Sequence, residues 1–255
     1  MNEQSAAASR LDPSEDGLLD GRIRLRQAKG GYRAGLDAAL LAATCDAADG
    51  ARVLELGCGA GAALLAAAAR RAQTHFAGLE RDPAAAALAR ENVALNALGD
   101  RVEVLEGDVG QPFARTGLAA FDAVMANPPF FDNPAALRGP APARRAAWIA
   151  DQGLAAWTAF AGKAVREGGS ITLIHRADRL ADLLGLLGAH SGSFRIRPVQ
   201  PFADAPAKRV LVRALKTGKA PLVLLPPLVL HPRDGAKHTQ EAEAILRGVA
   251  PLGWN

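Results

Sequence analysis

Between residues 51 and 216 the chain alternates short apolar runs of five or six residues with longer stretches that carry their apolar residues on one side. Runs of the first kind predict buried strands over residues 52–56, 75–79, 101–106, 121–126 and 170–175. Stretches of the second kind predict helices over 62–71, 83–98, 148–166 and 177–189. Asp82 is a good N-cap with Pro83 in the first helical position, and Gly99-Asp100 stops that helix. Gly168-Gly169 ends the helix over 148–166, and two runs at 194–200 and 209–216 read as a closing pair of strands. Strand–helix–strand order of this kind predicts an α/β, Rossmann-like fold: a mostly parallel seven-stranded sheet, an antiparallel closing strand, and helices on both faces.

The flanking segments differ from this core. Residues 1–20 are polar and partly acidic and are expected to be a disordered tail without secretory character. Residues 21–50 read as a basic extension with a short helix, 51–219 as the core, and 220–255 as an extension packed on it. That last stretch holds a Pro-interrupted apolar run and a short amphipathic helix over 239–246. Hydrophobic residues make up 49% of the chain, enough for a sizeable core, yet no run of 18 apolar residues suggests a membrane span. Two cysteines give no disulfide framework, which fits a reducing, cytoplasmic setting.

Charge is unevenly spread. Residues 1–131 carry 13 Lys+Arg against 17 Asp+Glu, and residues 132–255 carry 17 against 9. Within the acidic half, Arg22, Arg24, Arg26, Lys29 and Arg33 stand together with no acid between Gly21 and Leu36. The Pro-rich stretch 132–146 adds Arg138, Arg144 and Arg145. Such asymmetry points either to a polyanionic partner or to arginine as the default surface residue.

Three motifs carry chemistry. In Val53-Leu-Glu-Leu-Gly-Cys-Gly-Ala-Gly61 a strand runs into a loop containing Gly57, Gly59 and Gly61 before a helix. The third glycine comes one residue earlier than in the dinucleotide fingerprint, and Glu55 precedes the first, which favours S-adenosylmethionine over a nicotinamide. Glu80, ending the second strand, is placed to accept from ribose hydroxyls. Asp108 with Val109, after the third strand, is placed beside the cofactor's adenine, unless Asp108 only caps its own turn. The decisive motif is Asn127-Pro128-Pro129-Phe130, again at a strand end. Two prolines fix the backbone and remove two N–H donors, so what remains are acceptors for a planar NH2 group and an aromatic face to stack it on. Holding such a nitrogen towards a methyl donor is catalysis by proximity and orientation. His231 and His238 lack partners at metal-ligand spacing, so no metal is expected. Trp148 and Trp157 read as core residues and His175 as a structural strand-end residue.

On these residues the chain resembles the Asn-Pro-Pro-(Tyr/Phe) class I methyltransferases, and more narrowly the bacterial tRNA1(Val) (adenine(37)-N6)-methyltransferase family. The resemblance runs from about Arg24 to Gly248 and includes Gly35-Leu-Asp-Ala-Ala-Leu-Leu41, Leu173-Ile-His-Arg-Ala-Asp-Arg-Leu180 and Leu225-Pro-Pro-Leu-Val-Leu-His231. It implies a cofactor site of Glu55, Gly57, Gly59, Gly61, Glu80, Asp108, Val109 and Asn127, and a target site of Asn127, Pro128, Pro129 and Phe130. Phe130 stands where close relatives often have Tyr. Phe131, Arg138, Arg144, Arg145, Arg22, Arg24, Arg26 and Lys29 are candidate substrate contacts. The implied reaction is N6-methylation of an adenine in RNA, with tRNA as the expected partner and a monomeric enzyme. The tetrapeptide alone also serves a guanine N2 amine or a protein glutamine amide. A non-catalytic RNA-binding scaffold is disfavoured by the intact glycine loop, and glutamine methylation by the absence of a large helical domain before the first strand.

Overall fold

The computed structural model describes residues 14–28, 35–130 and 153–255. Its centre is a sheet in which β3 (Arg52–Leu56), β4 (His75–Glu80), β5 (Val102–Glu106), β6 (Phe121–Ala126), β7 (Val165–Arg176), β8 (Ser191–Gln200) and β9 (Arg209–Lys216) lie in the order β5-β4-β3-β6-β7-β9-β8. β9 pairs antiparallel with both neighbours, and all other pairings are parallel. Two further strands of two residues each, β10 (Val223–Leu224) and β11 (Leu228–Val229), add in parallel to β8. The expected seven strands are therefore extended to nine by the C-terminal segment.

Alternation along each strand divides the core between the two faces. Val53 and Phe76 face one layer; Leu54, Leu56, Ala77 and Leu79 face the other. The first layer is built from α1 (Leu36–Ala43), α2 (Ala62–Arg70), α3 (Pro83–Leu95), α6 (Gln240–Leu246) and the tail residues Leu252 and Trp254. Here Arg70 donates to the Ile245 and Ala250 carbonyls, and Trp254 Nε1 donates to the Thr44 carbonyl at 3.0 Å. α4 (Gly153–Ala164) and α5 (Leu180–Gly188) form the second layer. No helix among the described residues is long and apolar enough to cross a membrane.

Several elements depart from the sequence reading. Residues 14–20, expected as frayed tail, begin a hairpin of β1 (Ser14–Leu18) and β2 (Ile23–Gln27). The basic stretch is itself a strand: Ile23, Leu25 and Gln27 point inward and Arg24 and Arg26 outward, an alternation that the charge pattern obscured. The free edge of β2 is closed by side chains of α3. Arg26 N donates to Asn92 Oδ1 and Arg24 N to Asn96 Oδ1, and the two amide nitrogens donate back to the Arg26 and Arg24 carbonyls. Helical residues four apart lie roughly 6 Å apart, close to the ~6.6 Å between alternate strand residues, so two asparagines one turn apart imitate a neighbouring strand.

α3 ends at Leu95, short of the expected residue 98, because Asn96 caps it and Ala97 takes a positive φ of 52°. The helix expected to reach residue 166 stops at Ala164, and β7 begins at once. Val165 already pairs with Phe121, and the register shifts before Ser170 pairs with Ala123. Gly168 and Gly169 therefore form a bulge inside the strand instead of ending a helix. The helix expected over 177–189 opens with a 3₁₀ turn, Ala177–Arg179, before α5.

Candidate active site

The sheet changes direction between β3 and β6: the chain runs outward from β3 through β4 to β5, then returns to β6 on the other side of β3. Ligands of open α/β sheets bind outside the carboxyl ends at this switch point. Leu56 pairs with Ala126, so Gly57 and Asn127 follow on adjacent strands and the glycine loop and the Asn-Pro-Pro-Phe turn face one another.

The loop is shaped by two close approaches. Gly57 has φ +63°, and a Cβ there would stand 2.3 Å from Cη2 of Trp157, which packs across it from α4. Trp157 is thus a core residue that also walls the loop. Gly59, at φ +54°, has open space where a Cβ would be, and its N–H donates to Glu80 Oε2 at 2.8 Å. The other oxygen of Glu80 accepts from Asp82 N at 2.9 Å. Gly61 is the N-cap of α2. The loop is also tied from outside, since Asn92 Nδ2 donates to the Ala60 carbonyl at 2.9 Å as well as to Arg26.

Glu55 lies behind this loop with 3% of its surface exposed, and its Oε2 has no hydrogen-bond partner among the described residues. Burial pushes its pKa well above the carboxylate range; the nearby Glu80 charge adds to this, and a hydrogen bond from the Leu64 backbone opposes it. The buried Cys58 thiol is pushed up for the same first reason. Asp108 accepts from Gly110 N at 2.8 Å, so in this structure it caps its own turn. Val109 packs at the margin of the second core layer.

On the target side Pro128 is buried, and Asn127, Pro129 and Phe130 are half-buried. Asn127 Oδ1 is shielded and has no partner among the described residues. A buried acceptor left unpaired costs about 1–3 kcal/mol, so such an atom is a natural point for a ligand N–H to bind. The Phe130 ring meets His175 edge-on, with centroids 5.1 Å apart at 83°, and the Arg209 guanidinium lies over it at 4.5 Å. Asp37 Oδ2 accepts from Arg209 Nε at 2.9 Å. The sequence reading gave no role to Asp37 or Arg209; their only signal is position, one within the matched segment 35–41 and the other at a strand start.

Three of the basic candidates make contacts within the chain. Glu15 sits across the hairpin from Arg26 and pairs with both Arg24, at 2.7 Å, and Arg26, at 3.6 Å. Arg22 donates to the Leu19 and Arg247 carbonyls. Strand alternation brings Arg24 and Arg26 beside Glu15 across the hairpin, and Arg22, in the turn, ties it to the C-terminal end of α6. Lys29, Phe131, Arg138, Arg144 and Arg145 lie outside the described residues, as do Arg33 and Trp148. Among the described residues no group of three or more His, Cys, Asp or Glu side chains is placed to hold a metal.

A sheet with one reversed strand, a glycine loop after its first core strand and Asn-Pro-Pro-Phe after its fourth define a class I S-adenosylmethionine-dependent methyltransferase. The residues fit that cofactor: space is open at Gly59, the Glu80 carboxylate stands at the loop, and Asn127, with an acceptor unpaired among the described residues, follows the adjacent strand. Residues 32–138 match the family model described as methyltransferase small domain. The tRNA1(Val) (adenine(37)-N6)-methyltransferase of Actinobacillus succinogenes is 32% identical over 166 residues, 64% of this chain and 69% of that protein. The protein of the same name from Haemophilus influenzae is 29% identical over 154 residues, 60% and 65% of the two chains. Among solved structures, that of a predicted O-methyltransferase from Agrobacterium tumefaciens superposes with a TM-score of 0.73 at 30% identity, covering 86% of this chain and 99% of the other. The chain belongs to the tRNA1(Val) (adenine(37)-N6)-methyltransferase family and is an enzyme that uses S-adenosylmethionine.

Proposed function

We propose that this enzyme methylates the exocyclic N6 amine of an adenine in RNA, and that its substrate is tRNA. The observation that carries the reading is the shielded, unpaired Asn127 Oδ1 beside the half-buried Phe130 ring. S-adenosylmethionine, when bound, supplies a methyl group on a sulfonium, electrophilic enough for a neutral amine to accept. Asn127 accepts one N–H of the target amine and turns the nitrogen lone pair out of the base plane. The two prolines hold that acceptor still and offer no N–H to compete with it. Phe130 stacks the base, which must leave its helix because a paired base has no free amine. The proton leaves to water after transfer, so no strong base is required. His175, which meets the Phe130 ring, is 1% exposed, and burial pushes its pKa down. The names of the two relatives support adenine and tRNA as targets. This reading places a monomeric enzyme with its tRNA in the cytoplasm. It retains Glu80 and Glu55 with the glycine loop as the cofactor side, with Asp108 and Val109 at its adenine end.

The test is transfer from radiolabelled S-adenosylmethionine to tRNA, rRNA and protein from a strain lacking the gene, followed by nucleoside mass spectrometry. Label is expected in N6-methyladenosine of tRNA, reduced about 100- to 1000-fold by Asn127→Ala, with S-adenosylmethionine affinity measured alongside to separate cofactor binding from transfer. Label in a guanine or in protein glutamine would overturn the adenine reading.

A further inference from the structure

Phe130 is held from behind by residues of three separate elements. Arg209 opens β9, and its guanidinium covers one face of the ring with Cζ 4.5 Å from the centroid. Asp37, in the first turn of α1, grips that guanidinium at 2.9 Å, and its side chain is only 12% exposed. His175, at the end of β7, meets the ring edge-on. The sheet fixes two of these positions relative to one another: Arg209 pairs with Arg176 and Val210 with His175. Phe130 itself follows a strand end and has no ladder partner of its own.

We propose that Arg209, anchored by Asp37 and backed by His175, is a positioning residue that sets the orientation of Phe130 and so of the target stacked on it. The inference rests on the reading of Asn127–Phe130 as the amine-binding turn. The guanidinium covers one face and the imidazole stands perpendicular to the ring, so on this proposal the base stacks on the face that the guanidinium leaves. A ring free to change rotamer would present that face only part of the time, and small misplacements of a reacting group lower rates steeply. Asp37 also balances the charge. The target nitrogen gains positive charge as it takes the methyl group, and an uncompensated guanidinium behind the ring would oppose this. An ion pair supplies the planar contact without a net charge.

The test is a double-mutant cycle on whichever substrate the wild-type enzyme labels, with steady-state kinetics, calorimetric cofactor binding and thermal melting. Arg209→Met is expected to lower kcat about tenfold with cofactor affinity unchanged, and to have under about twofold effect in a Phe130→Leu background, where the ring it orients is gone. Arg209→Lys, which keeps the charge but not the plane, is expected to fall between. Asp37→Asn is expected to lower kcat at least as much as Arg209→Met. With 2-aminopurine at the target position, Arg209→Met should weaken the fluorescence quenching that stacking produces. Full additivity with Phe130→Leu, or an unchanged kcat and quenching in Arg209→Met, would overturn the proposal. Should Arg209→Met fail to fold, the cycle is run with Arg209→Lys and judged on the same additivity. Absence of label in RNA from the wild type would instead reject the RNA reading and leave the cycle to be run on the substrate found.

Discussion

Replacing Asn92 with alanine should loosen the cofactor loop and the N-terminal hairpin together. The side chain is fully buried and makes three hydrogen bonds, all at 2.9 Å: it accepts from Arg26 N and donates to the carbonyls of Arg26 and Ala60. At about 1 kcal/mol net for each bond, the loss comes to ~3 kcal/mol. For a chain of this size that corresponds to roughly 6–12 °C in Tm. Part of the loss falls on Ala60, between Gly59 and Gly61, so cofactor affinity should drop as well. Differential scanning fluorimetry and calorimetric titration of S-adenosylmethionine read the two effects separately. Asn92→Asp keeps the acceptor for Arg26 N but loses both donors, and should weaken cofactor binding while retaining part of the stability. A Tm within 2 °C of wild type, or an unchanged cofactor affinity in Asn92→Ala, would refute the reasoning that one amide joins hairpin and loop.

Gly57→Ala should cost about 1–2 kcal/mol for a left-handed backbone and about 1–3 kcal/mol for the clash with Trp157. Melting curves should show part of this loss recovered in the Gly57→Ala, Trp157→Phe double variant, because phenylalanine does not reach the added methyl. Glu55 has a folded-state pKa raised above its ordinary value of 4.5. Its contribution to stability is therefore fully present below that pH and is lost as pH rises through the folded value. Glu55→Gln should flatten this decline in urea melts taken across pH, and an unchanged slope would show that Glu55 is not the group responsible.

The parts of the site legible in the sequence were those carried by contiguous residues. The glycine loop and Asn127-Pro-Pro-Phe130 each encode a backbone shape locally, and Asp82-Pro83 marks a helix start for the same reason. What escaped depends on partners far along the chain. The Arg209–Asp37 pair joins residues 172 apart, and the ladder of Asn92 and Asn96 against β2 spans about 70. The stretch from Arg22 to Arg26 illustrates how one signal hides another: its charge is conspicuous, whereas its period-two alternation is what sets its structure. Gly168-Gly169 shows a different ambiguity, because a glycine pair punctuates a helix and a bulged strand equally well, and only the pairing of Val165 with Phe121 decides.

The buried acceptor Asn127 Oδ1 also bears on what the enzyme does with its product. An unmodified exocyclic amine has two N–H groups; after one transfer it has one. The unmodified amine can meet both acceptors of the turn, Asn127 Oδ1 and the Pro128 carbonyl, whereas the methylated one leaves one of them unpaired and binds less well. Selection for the unmodified base and release of the finished one are then the same contact seen at two times, and N6,N6-dimethyladenosine in tRNA digests after exhaustive incubation would show that the second N–H is not required.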